Sequence, residues 1–187
     1  MQTLSAAIDI LESINDRIGK AVAWLNVLLV VNVFTVVVMR YVFSLGWVWM
    51  QELYVWTHAT IFLAGAGYTL LHNGHVRIDL IYGIARPRYK AAVDLVGTLC
   101  LGLPLVGVIL DRSWPMIHRS WLSLEKSAEI GGLPGLFLLK SMIAAFCCIF
   151  GLQLLAMLLR ALRTLVTGEA AAEQIDMGAE VAREALQ

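Results

Sequence analysis

Residues 21–39 read AVAWLNVLLVVNVFTVVVM, an apolar run without one charged side chain. A helix that crosses a bilayer needs about 20 such residues. A lone strand in hydrocarbon would leave its N–H and C=O groups unpaired, so the run must be helical. Three further stretches share its character. Residues 53–71 carry His58 as their one titratable group of ordinary charge-switching range, residues 130–159 are interrupted only by Lys140, and the shorter run 95–110 reaches spanning length when extended to residue 91 across Asp94. The expectation is an all-α integral membrane protein with four transmembrane helices.

Composition agrees. The chain has 187 residues, 59% of them apolar and 15% charged, with a mean hydropathy of +0.76. Soluble domains carry about 25% charged residues, and one water-soluble core of this size cannot hide so much apolar surface. A large multi-domain enzyme is excluded by length. The balance of 14 basic against 14 acidic residues argues against nucleic acid, whose counterion release requires a basic surface. Cys100, Cys147 and Cys148 all lie in apolar runs and read as small packing residues rather than a disulfide framework.

The chain divides into an amphipathic head (1–19), a four-helix membrane domain (20–165) and an acidic tail (166–187). In the head, Leu4, Ile8, Leu11 and Ile18 recur at near-helical spacing with Asp9, Glu12, Asp16 and Arg17 between them. That pattern suggests a helix lying on the membrane surface or against a protein. The same acids stand where a cleavable signal would be basic, so the first apolar segment is expected to be retained. In the tail, Glu169, Glu173, Asp176, Glu180 and Glu184 face a lone Arg183, the signature of a solvated segment. Pro104 should kink the third span, and Gly131, Gly132, Pro134 and Gly135 should form the turn that opens the fourth.

Basic residues are retained on the cytoplasmic side. Arg17 and Lys20 in the head, Arg77, Arg86, Arg88 and Lys90 between spans two and three, and Arg160 and Arg163 after span four outweigh Arg112, Arg119 and Lys126 on the other side, even with Arg40 and Lys140 added to the latter. Both termini are therefore expected in the cytoplasm. Tyr41, Trp47, Trp49, Trp114 and Trp121 would then mark the outer boundary, and Trp24, Tyr82 and Tyr89 the inner one.

Ionisable side chains at membrane depth mark function by default. Arg40 and Glu52 flank the hairpin between spans one and two, where they could neutralise each other, meet water and headgroups, or contact a partner subunit. Alternatively, Glu52 could be the proton site of a self-sufficient small proton-coupled exporter. Lys140 is close enough to the start of its helix to snorkel to the outer interface, and Asp94, one turn after Lys90, occupies an ordinary helix-end position. No second histidine matches the depth of His58, which counts against haem between two spans. Neither a metal-ligand cluster nor a base placed near Ser141 is evident, so neither an enzyme nor any cofactor is expected. Gly65 and Gly67, among Ala59, Ala64 and Ala66, give span two a small-residue surface suited either to packing inside the chain or to a docking partner.

One stretch is more specific. Trp47, Val48, Trp49, Met50, Gln51 and Glu52 open span two, Phe62, Leu63, Ala64, Gly65 and Ala66 form its middle, and Gly74, His75, Val76, Arg77, Ile78 and Asp79 follow its other end. This order resembles the small membrane subunit, the DctQ-like Q component, of tripartite ATP-independent periplasmic (TRAP) transporters, over roughly residues 20–165. The resemblance implies a multi-pass protein of the bacterial inner membrane and two partners. One is a large membrane subunit, M, that carries substrate and sodium sites and moves like an elevator. The other is a periplasmic solute-binding protein, P, that delivers an organic acid. The Q subunit would be a scaffold for M in sodium-driven uptake. By position, Trp49 and Glu52 would set the outer end of span two, while Gly74, His75, Arg77 and Asp79 would shape the inner connection, within the loop or toward M.

Overall fold

The computed structural model describes residues 2–75 and 86–167. Arg77 and Asp79, with Val76, Ile78 and Tyr82, lie outside the described residues, as does the tail from residue 168. Among the described residues the elements are all helical, apart from one isolated antiparallel bridge between Lys126 and Pro134. The helices are α1 (Gln2–Ala23), α2 (Leu25–Tyr41), α3 (Val48–Leu71), α4 (Pro87–Gly97), a π-turn (Thr98–Gly102), α5 (Leu103–Leu122) and α6 (Leu136–Thr167).

Three helical stretches are long and apolar enough to cross a membrane: Leu4–Tyr41, Pro87–Leu122 and Leu136–Thr167. The fourth expected span, α3, is 24 residues long, about 36 Å at 1.5 Å per residue, so length does not hold it back. Its composition does. Trp56, Thr57, His58, Thr60, Gly65, Gly67 and Tyr68 replace aliphatic residues along it. α3 packs against α1, α2 and α6, and the buried Thr57 and Gly67 lie where it meets them closely. Its hydroxyls are satisfied on their own helix, Thr57, Thr60 and Thr69 donating to the carbonyls of Leu53, Trp56 and Gly65.

The head is one helix through residue 20 and beyond. α1 continues to Ala23, and the bend before α2 falls at Trp24, which is exposed. The face of the head carrying Ile8 is buried against this chain's own helices: α1 packs on α3 and α6, Asn15 is fully buried, and Glu12 pairs with Arg160 of α6 at 2.5 Å.

The third span is longer than expected at its far end. Residues 111–122, read from sequence as part of a connection, extend α5 because Ile117 and Ser120 continue its buried face. Pro115 inside the helix leaves one carbonyl without its usual donor, a local cost the packing offsets. Near Pro104, where a kink is expected, the helix carries the π-turn. Two residues after the π-turn ends, Pro104 has no N–H to give, and the Leu103 N–H reaches back five residues to the Thr98 carbonyl. The fourth span begins at Leu136 rather than residue 130, since residues 130–135 belong to the turn. Val106, Cys147 and Leu154, backed by Leu70, Leu103, Phe146 and Phe150, form the α5–α6 core with a contribution from α3.

Candidate functional site

One turn into α3, Glu52 lies at the end of the bundle where α2 meets α3. Residues 123–135 turn at the same end. Leu124 and Glu125 close α5: the Leu124 N–H donates to the Trp121 carbonyl at 3.2 Å and the Glu125 N–H to the Ser120 carbonyl at 3.0 Å, with Leu124 at φ +45°. This is a Schellman cap with leucine where glycine is usual. The Ser127 N–H then donates to the Leu133 carbonyl at 3.2 Å, and Gly131 and Gly135 adopt φ of +81° and +120°, values L side chains avoid.

Glu52 fills the middle of this loop. Its Oε1 accepts from the Ser127 hydroxyl and its Oε2 from the Leu133 N–H at 2.6 Å. Gly132 has to be small, since a Cβ there would stand 2.8 Å from Oε2 and overlap the Ser127 side chain. The expected Arg40–Glu52 pair is thus not formed. Both carboxylate oxygens are held by the loop, and among the described residues Arg40 makes no ion pair. Lys140 also finds a protein partner rather than only the interface, pairing with Glu125 at 2.5 Å. That ammonium, through its hydrogen bond, holds the Glu125 carboxyl below its ordinary range. Trp121 completes the end, donating from Nε1 to Ser141 Oγ at 2.8 Å with its ring edge-on to Phe137. Trp49 projects from the first turn of α3 and is exposed.

At the opposite end α3 stops in another Schellman cap. The Gly74 N–H donates to the Thr69 carbonyl at 2.8 Å and the Asn73 N–H to that of Leu70 at 3.2 Å, with Asn73 at φ +54°. The residue that turns the chain is therefore Asn73, which sequence reading passed over beside Gly74. A polar residue tolerant of the left-handed region, one place before a glycine, was the available signal. His75 stands edge-on to Phe150 of α6, ring centroids 6.1 Å apart, and His72 meets Asp16 at 3.5 Å.

The small-residue surface of α3 splits in two. Gly67 is buried, and a Cβ there would overlap Asn15 Oδ1 of α1 and stand 3.0 Å from Ile149 of α6, so it serves packing inside the chain. Gly65 would meet nothing within 4 Å. α2 is largely open, with Val30, Val31 and Phe34 exposed by 66%, 56% and 67%. Such apolar surface belongs against lipid or another membrane protein.

These features define a class: a multi-pass helical membrane subunit, tied at both ends by internal pairs and apolar on its flanks. The family described as "Tripartite ATP-independent periplasmic transporters, DctQ component" matches residues 29–164, and the chain belongs to that family as a small permease subunit. It is similar to the C4-dicarboxylate TRAP transporter small permease protein DctQ of Vibrio cholerae serotype O1 (strain ATCC 39315 / El Tor Inaba N16961), with 29% identity over 97 residues. That match covers 49% of this chain and 41% of the relative. No solved structure matches the chain.

Proposed function

We propose that this chain is the stationary brace of a TRAP transporter in the bacterial inner membrane. α2, α3, the α4–α5 pair and α6 would make four crossings with both termini cytoplasmic. The large membrane subunit would carry the sodium and substrate sites, and a periplasmic binding protein would deliver an organic acid. The relative's name makes a C4-dicarboxylate the first solute to test. A subunit in this role is not an enzyme and holds no transported species.

One observation carries the reading: Glu52, the acid on which an exporter would depend, already accepts hydrogen bonds at both oxygens from the 123–135 loop. A group so engaged suits a fixed strut better than a site that must bind and release a proton on each cycle. Arg40, Trp49, Glu52, Gly65, Gly74, His75, Arg77 and Asp79 are then structural or interface residues, and Gly67 an internal packing residue. Gly65 and the open face of α2 offer the surface for the large subunit.

The test is reconstitution. In liposomes under a sodium gradient, this chain alone moves no succinate, whereas the chain with its large subunit and binding protein does. Sodium-dependent uptake by the isolated chain would end the proposal.

A further inference from the structure

We propose that one face of α3 receives a transmembrane helix of the large subunit, and that this helix presents a hydroxyl or carboxamide side chain to His58. This rests on the brace reading above, which has α3 crossing the bilayer beside the large subunit, and adds where the two meet. Gln51, Val55, His58, Phe62 and Gly65 follow one another in alternating steps of four and three residues, so they form one stripe along α3. Val55 and Phe62 are exposed by 51% and 70%, His58 is exposed, and a Cβ at Gly65 would meet nothing within 4 Å. Among the described residues His58 makes no hydrogen bond, ion pair or ring contact.

The depth of His58 decides what can cover it. Ten residues separate it from the start of α3 and thirteen from the end, about 15 and 20 Å at 1.5 Å per residue. A short imidazole spans neither distance, as a long lysine stem near a helix end can. Hydrocarbon offers nothing to its donor and acceptor nitrogens, so a lipid tail leaves both unmet. Hydroxyl, carboxamide and imidazole side chains, by contrast, bond across helices inside membranes, and the first two bring no charge for hydrocarbon to penalise. Gly65, two turns beyond His58, lets an incoming backbone come close, with Phe62 as the apolar contact between them. The stripe also borders α2, because Gln51 lines the cleft at the α2–α3 turn together with Val36 and Met39. One helix lying there would touch this stripe and the flank of α2. The family description makes the chain one component of a tripartite assembly, which favours another membrane component over a second copy.

The test is an energy-transfer titration of the labelled full chain with its labelled large subunit in lipid vesicles, with a thermal melt of each variant alone. His58→Leu weakens association about three- to tenfold, the range of one hydrogen bond between membrane helices. His58→Gln restores a donor and an acceptor and keeps most of the wild-type affinity. Gly65→Leu blocks the approach and weakens association at least as much as His58→Leu. Alone, the His58→Leu chain melts at or above the wild type, since it loses a polar group from a lipid-facing surface. Association of His58→Leu within twofold of wild type would overturn the proposal, as would His58→Gln no better than His58→Leu. A clearly lower melt for His58→Leu alone would give the imidazole to this chain's own packing, and His58-dependent self-association would give the face to a second copy; either overturns it. A wild-type chain that does not bind the large subunit at all sinks the brace reading itself, a result distinct from a complex that forms and ignores His58.

Discussion

Removing the Glu52 carboxylate should loosen a loop that begins more than 70 residues away in sequence. The carboxylate accepts two hydrogen bonds, from Ser127 and from the Leu133 N–H. Bonds to a charged acceptor contribute about 1.5–3 kcal/mol each. Glu52 is half-buried, so the lower end applies, and the pair contributes about 3 kcal/mol to closure of the loop. At 1.4 kcal/mol per factor of ten, Glu52→Ala should speed amide exchange in the loop roughly 100-fold. Glu52→Gln keeps one accepting oxygen but turns an amide donor toward the other partner, and should give about 10-fold, as should Ser127→Ala. The reporters are the N–H groups of Ser127 and Gly132, which donate to the Leu133 and Glu129 carbonyls and do not touch Glu52. Exchange at those amides within twofold of wild type in Glu52→Ala would refute the clasp. The double variant Arg40→Gln/Glu52→Gln should show additive effects, since the two residues share no partner.

Gly67→Ala should destabilise the chain by about 1–3 kcal/mol by overpacking, while Gly65→Ala leaves the isolated chain unchanged; thermal melts in detergent compare them. Glu12→Gln or Arg160→Gln should each cost about 1–2 kcal/mol by leaving a half-buried partner, and the exchanged pair Glu12→Arg/Arg160→Glu should recover part of it in the same melts. Leu124→Gly should stabilise by about 1 kcal/mol in those melts by relieving the left-handed backbone. The Glu125–Lys140 pair has a definite pH sign. Because the folded carboxyl sits below its ordinary range, its contribution is present above the unfolded value, about pH 4, and is lost as pH falls through the lower folded value. Trp121 fluorescence should therefore change at acid pH in the wild type and much less in Lys140→Met.

What could be read from the sequence was whatever repeats locally. The apolar runs announced the helices, and Gly131 and Gly135 announced their turn. Two errors arose where packing overrode a local cue. Residues 111–122 read as part of a connection, yet Ile117 and Ser120 carry α5 through them. Ile130 reads as the start of a span, yet it is 97% exposed at a loop tip. The site was harder still. Arg40 and Glu52 are the nearest opposite charges across the hairpin, so pairing them was the natural inference. The true partners of Glu52 lie 75 and 81 residues on, and the partner of Arg160 lies 148 residues back. No spacing rule reaches so far. Of the inner-turn motif, Gly74 and His75 have structural roles within the chain, as a helix stop and as a ring against Phe150.

The loop held by Glu52 also bears on how the protein is made. A ribosome delivers α3 long before residues 127–133 exist, so during that interval the carboxylate has only water for company. Its hydration would keep the leading end of α3 at the aqueous boundary, a tether against sinking too deep. Once α5 has been made, the later-arriving Ser127 and Leu133 would take over from that water. A loop made late would thereby fix the depth of a helix made early.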